Sequence, residues 1–203
     1  GPVVLVEAAD CCGGGAAGDS VATLKALLRG NVAQTSLVPV VDPEAAAACH
    51  RAGVGGSVTV LLGHRCDPRW GDPATVTGRV SRLSDGRFRY VGGVWDDVES
   101  NMGPSAVLRI GAVQVLVASH ATYDWMDEQY RSMGMNPSEA KFIVAKNPMN
   151  YRQAYGTIAK AIFVLDTPGS TPPTVRHVQY KNVRRPYFPL DADIPGLTPT
   201  ILR

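Results

Sequence analysis

ADCCGGGAAGDSVATL, residues 9–24, is the stretch on which the reading of the chain turns. An apolar run, Val3 to Ala8, broken only by Glu7, leads into it and has the length of a strand buried on both faces. Gly13 and Gly18 stand at the spacing of a phosphate-binding loop. A helical pattern follows, with Val21, Leu24, Leu27 and Leu28 on one face, Asp19 or Ser20 placed to cap it, and Gly30 to end it. A phosphate loop, however, carries lysine where Asp19 stands. Asp10 and Asp19 bracket the loop with negative charge, so a free triphosphate would meet repulsion on the order of a few kcal/mol. A metal or a substrate ammonium suits such a loop better. So does a peptide whose carbonyl meets the amides of Gly13, Gly14 and Gly15 while its amine meets a carboxylate. The plain structural alternative is that Asp19 only caps its helix and the glycines only permit close packing of strand and helix.

Working outward, Ser36 to Val41 reads as the next strand, and Asp42-Pro43 supplies an N-cap and first-turn proline for an alanine-rich helix that stops at Gly53. A further strand, Ser57 to Leu62, completes a βαβαβ pattern and implies right-handed crossovers onto a largely parallel sheet. Between about 74 and 119 the texture changes to short alternating runs separated by turn signals such as Ser84-Asp85-Gly86, which predicts an inserted antiparallel meander. The α/β rhythm then resumes: a helix near Tyr123 to Met133, a strand at Lys141 to Lys146, a helix near Met149 to Ala159 and a strand at Ala161 to Asp166. From about 168 to 203 the chain is rich in proline and aperiodic, as in an extended arm. The prediction is one α/β domain over 1–203: a mixed, largely parallel sheet flanked by helices, with that insertion and that tail.

Composition narrows the function. A chain of 203 residues with 45% hydrophobic residues can bury a sizeable core. A net charge of +2 argues against nucleic acid or acidic membranes as partners, and no apolar run reaches membrane-spanning length, so a cytoplasmic protein is expected. The cysteines Cys11, Cys12, Cys49 and Cys66 have no metal-ligand spacing and read as reduced thiols, with Cys11 and Cys12 filling a tight turn. The histidines His50, His64, His120 and His177 are equally scattered, so no metal site made wholly from this chain is expected.

Three further residue sets carry possible chemistry. Gly18-Asp19-Ser20 resembles a serine-esterase block, yet it follows a glycine loop and no Asp lies three residues before His177; Ser20 reads better as a first-turn residue than as a nucleophile. His120 ends a long apolar strand beside a loop, where a hydrogen-bond donor or general acid can stand, or where a structural histidine can be satisfied. In KNPMNYRQAY, residues 146–155, Lys146 closes a strand and Arg152 and Tyr155 follow on a short helix. Lys146 or Arg152 can stand opposite Asp10, as a ligand-free salt bridge or as a clamp for a substrate carboxylate.

The segments quoted, together with DPEAAAACHRAGVGGSVTVLLG, DPRWGDPATVTGRVSRLSDGRF, GPSAVLRIGAVQVLVAS, EQYRSMG and KNPMNYRQAYGTIAKAIFVLD, resemble in order the C-terminal domain of the microcystinase C (MlrC) family of zinc metallopeptidases. Family members usually have Asn-Pro where this chain has Cys11-Cys12; Asp10, Gly13, Gly14, Gly15, Gly18, Asp19 and Ser20 match. A histidine common in relatives is replaced near Asn150, while Lys146, Arg152 and Tyr155 match. The resemblance implies a hydrolase in which a separate N-terminal domain supplies the zinc site and this domain closes over it. It implies Asp10 as the catalytic carboxylate presented across that interface, and a small peptide or amide as substrate. Gly13, Gly14, Gly15, Asp19, Ser20, His120, Lys146, Arg152 and Tyr155 are the expected substrate-binding set, with zinc as the cofactor and the N-terminal metal-binding domain as the partner; a homo-oligomer stays open. The alternatives are a non-catalytic binding or assembly module, and a self-contained hydrolase using Ser20 or Cys12.

Overall fold

The computed structural model describes residues 1–194 and Gly196; the remaining residues of the expected arm lie outside the described ones. In chain order the elements are β1 (Val3–Val6), α1 (Ala22–Arg29), β2 (Ser36–Val41), α2 (Pro43–Ala52), β3 (Ser57–Leu62), β4 (Ala74–Ser84), β5 (Arg87–Arg89), β6 (Glu99–Asn101), β7 (Ser105–Ile110), β8 (Val113–Ala118), α3 (Glu128–Ser132), β9 (Phe142–Ala145), α4 (Tyr151–Tyr155) and β10 (Ala161–Val164). Helix α2 forms as its sequence dictates. The Asp42 carboxylate accepts from the Ala45 amide at 2.9 Å, Pro43 opens the first turn, and Gly53 ends it at φ +72°, a conformation that suits glycine.

Eight strands form one mixed sheet in the order β10-β1-β9-β2-β8-β7-β4-β3, and β5 and β6 form a separate pair. From β10 to β8 the pairings are parallel, and from β8 to β3 they are antiparallel. The α/β class and mixed sheet are thus as predicted, but three details differ. Strand β3 is not the third parallel strand of a βαβαβ unit: it pairs antiparallel with β4 at the sheet's edge, and its alternate residues Ser57, Thr59 and Leu61 face solvent. The stretch 74–119 supplies three of the eight strands of the main sheet, β4, β7 and β8, and only its β5 and β6 stand apart from that sheet. Strands β1 and β2 are likewise separated by β9, which pairs with both.

The period of two along each strand sorts the core onto the two faces of the sheet. Val4, Val6, Leu37, Leu116 and Ile143 pack with Tyr130 of α3 and Tyr151 and Tyr155 of α4. Val38, Val40, Val115, Val117 and Val144 pack with Leu24 and Leu27 of α1 and Cys49 of α2. Helices α3 and α4 are shorter than their patterns predict, five residues each. Residues 1–173 make one compact unit, and a smaller one begins at Thr174. Within the second, Arg185 pairs with Asp191, and the rings of Tyr180 and Tyr187 meet edge-on at 5.4 Å.

Candidate functional site at the carboxyl edge of the parallel strands

Because β1, β2, β8 and β9 run parallel, their carboxyl ends open on one edge, the edge at which α/β sheets collect ligands. Asp10 follows β1 there, and Lys146 follows β9. The Lys146 Nζ donates to Asp10 Oδ2 at 2.7 Å and to the carbonyls of Gly18 and Ser20 at 2.9 and 2.8 Å. The amides of Gly18 and Ser20 donate to Asp10 at 2.8 and 2.7 Å. Both charged side chains are buried, so each desolvated group is paired and its hydrogen bonds are filled. Burial pulls the Lys146 ammonium down, but the Asp10 and Glu7 carboxylates beside it outweigh this and hold it above the usual lysine range. Of the two cations placed opposite Asp10 by sequence, Lys146 is there. Arg152 is not: it is exposed and lies over the Tyr151 ring at 4.6 Å. The positive centre expected from outside the chain is therefore supplied, for Asp10, by the chain itself.

The glycine loop is shaped by this pair. Gly13, Gly14 and Gly15 are exposed, but the amides of Gly14 and Gly15 each donate at 3.0 Å to the carbonyls of Cys11 and Cys12, closing a tight turn. Two of the three N–H groups expected to meet a substrate carbonyl are thus spent locally. Gly13 must be glycine for another reason: a Cβ there would fall 2.3 Å from the Tyr123 ring. Asp19 neither caps α1 nor faces outward. Its carboxylate accepts from the amides of Cys66 and Asp67 at 2.7 and 2.8 Å, pinning the loop after β3. Ser20 is buried and donates its hydroxyl to Glu7 at 2.5 Å, beside Thr23 at 2.8 Å; no histidine partners it among the described residues, and the serine-hydrolase reading fails on that geometry. Burial pushes the Cys12 thiol up to about 12 despite the Lys146 cation nearby, which denies it thiolate character at neutral pH.

His120 is exposed and lines a small cavity of about 30 Å³ together with Cys12, Thr122, Asp124, Gln129 and Lys146. Tyr155, by contrast, is buried in the core and its hydroxyl reaches the Met126 carbonyl at 3.4 Å, away from that cavity's lining. Asp124 is the residue that sequence reasoning missed. Its Oδ2 accepts from the Lys146 amide at 2.9 Å, and its backbone carbonyl accepts from the Asn147 side chain. Burial, with Glu128 and Asp127 adding negative charge, outweighs the Lys146 amide and cation and raises its carboxyl to about 7. The only sequence signal was the density of acids in YDWMDE, residues 123–128.

A zinc ion is the cofactor the resemblance implies, and the described residues do not fit one: no three His, Cys, Asp or Glu side chains among them converge as ligands. No helix among the described residues is long and apolar enough to cross a membrane.

Comparison with known proteins agrees with the fold and sharpens it. The chain is 23% identical over 190 residues to Microcystinase C of Sphingomonas sp, a match covering 94% of this chain and 36% of that protein. The crystal structure described as "Putative metallopeptidase" from Mesorhizobium sp. BNC1 superposes with a TM-score of 0.80 at 26% identity, covering 96% of this chain and 39% of that one. The chain therefore spans little more than a third of the length of either relative. Residues 5–182 match the family described as MlrC C-terminus, and the chain belongs to that family.

Proposed function

We propose that this chain is the C-terminal domain of a zinc-dependent peptidase or amidohydrolase, and that it completes the cleft of a metal-bearing N-terminal domain. The relatives supply the reaction class: one is named a microcystinase, the other is described as a metallopeptidase. The observation that carries the reading is the buried Asp10–Lys146 pair, which holds Gly18 and Ser20 at the end of the glycine loop, where Cys12 and Gly18 line the His120 cavity at the carboxyl edge of the parallel strands. A rigid turn at that edge offers a wall against which a second domain and a peptide can be positioned. In this reading Asp10 and Lys146 act by holding the end of the glycine loop at Gly18 and Ser20, the exposed Gly13 and His120 face the substrate, and a small peptide or amide lies between the domains.

The test compares this chain with the longer polypeptide that carries it. Zinc content and hydrolysis of a tripeptide panel are measured for both. Stoichiometric zinc and turnover in the longer protein, with neither in the 203-residue chain, is the expected result. Turnover by the chain alone, or none by the longer protein, would overturn the proposal.

A further inference from the structure

Asp124 is half-buried, and it differs from the buried acids of this edge in what satisfies it. Asp10 takes three hydrogen bonds, one from a cation, and Asp42 takes two amides, those of Ala45 and Gly63. Glu7 accepts two hydroxyls and Glu128 two amides. Asp124 takes one amide, that of Lys146, on Oδ2. It is also the one carboxyl lining the His120 cavity. A space of about 30 Å³ is too small for a peptide side chain but holds about one water, with Thr122, Gln129 and His120 as further polar walls.

The charged and titratable groups around Asp124 come from every neighbouring element. Glu128 and Asp127 lie on its own turn, Lys146 follows β9, and Cys11 and Cys12 belong to the glycine loop. Tyr130, Tyr155 and Tyr90 face it from α3, α4 and the end of β5. The tyrosines and thiols in this set are all raised and stay neutral at pH 7. The balance at Asp124 is therefore one cation, already bound to Asp10, against two carboxylates, with the His120 ring lining the same cavity.

We propose that Asp124 is the proton-relay carboxyl of this pocket, handing a proton through one water in the cavity to the amine released from an amide held at the cavity's mouth. This rests on the peptidase reading above. The Oδ1–H bond breaks, the water accepts that proton and gives up another, and an N–H bond forms on the departing nitrogen as the C–N bond breaks. The carboxylate then regains the proton shed by the water that attacked the carbonyl, so the sum is one water added across the amide. The relay needs the protonated acid, which is why a carboxyl raised to about 7 serves it and an ordinary aspartate would not.

The deciding experiment uses the longer polypeptide, wild type and Asp124→Asn, on tripeptides and on the matching p-nitroanilides, whose weakly basic leaving group needs little proton assistance. The expected result is a loss of at least about tenfold in kcat on the tripeptides, less than about threefold on the anilides, and KM little changed. In the wild type, tripeptide turnover should fall as pH rises through about 7, and Asn should abolish that limb. Should Asn fold poorly, Glu128→Gln removes a neighbouring charge and moves the limb to lower pH with turnover retained. Equal losses on both substrate classes, or an unmoved limb in both variants, would overturn the relay while leaving a peptidase. No turnover of any substrate by the wild type would overturn the peptidase reading and the relay with it.

Discussion

Lys146 touches two acids with different ends of itself, and the two places behave as opposites. Around Asp10 the ammonium and two amides meet a buried carboxylate, and every donor has a partner. Around Asp124 the same residue offers only its backbone N–H, while Glu128 and Asp127 crowd in negative charge. One edge of the sheet thus holds a saturated ion pair that fixes shape and a carboxyl with a single amide donor that can change charge. Burial alone does not decide what an acid does; the count and charge of its donors does.

The strongest way to break the contrast is Lys146→Met. It strands Asp10 with buried negative charge and should destabilise the chain by about 3–5 kcal/mol, read from urea midpoints. Asp124→Asn probes the other side with the opposite sign. A carboxyl raised to about 7 favours folding fully at acid pH, and that contribution is lost as pH climbs from the ordinary carboxylate range through 7. Asn mimics the protonated form, so the variant should match wild type near pH 4 and exceed it near pH 8 by on the order of 2 kcal/mol, allowing for solvent contact. Thermal midpoints across that range decide it, and a pH-independent difference would sink the assignment.

A smaller effect belongs to Ser20→Ala, which leaves Glu7 with Thr23 as its one hydroxyl donor and should cost about 1–2 kcal/mol. Tripeptide hydrolysis by the longer protein should then fall no further than the folded fraction does, in contrast to a nucleophile's loss. Arg152→Ala should be the mildest, below about 1 kcal/mol, since its guanidinium sits exposed over Tyr151. A drop in turnover at unchanged stability would return Arg152 to the substrate-binding set.

How much was legible follows the same division between local and assembled features. Helix α2, with Asp42-Pro43 at one end and Gly53 at the other, is written in adjacent residues, as are the bounds of β2 and β3. The partner of β3 is not, because strand-helix-strand spacing says nothing about whether a later hairpin will capture the strand first; its exposed alternate residues were the overlooked sign. The site divides likewise. Asp10 and Lys146 were each visible as ends of apolar strands, and their meeting required only that β1 and β9 be neighbours. Asp19's turn toward Cys66 and Asp67, and Asp124's approach to the Lys146 amide, depend on loop paths that no periodicity encodes.

Strand β1 precedes every other strand of this sheet in the chain, yet both of its neighbours, β9 and β10, come from residues 142–164. A growing polypeptide must therefore carry Val3–Val6 unpaired until most of the domain has emerged, and closing so long a span slows folding. Any truncation that removes β9 and β10 leaves that apolar segment without a strand to pair with, so such fragments should be recovered as aggregates.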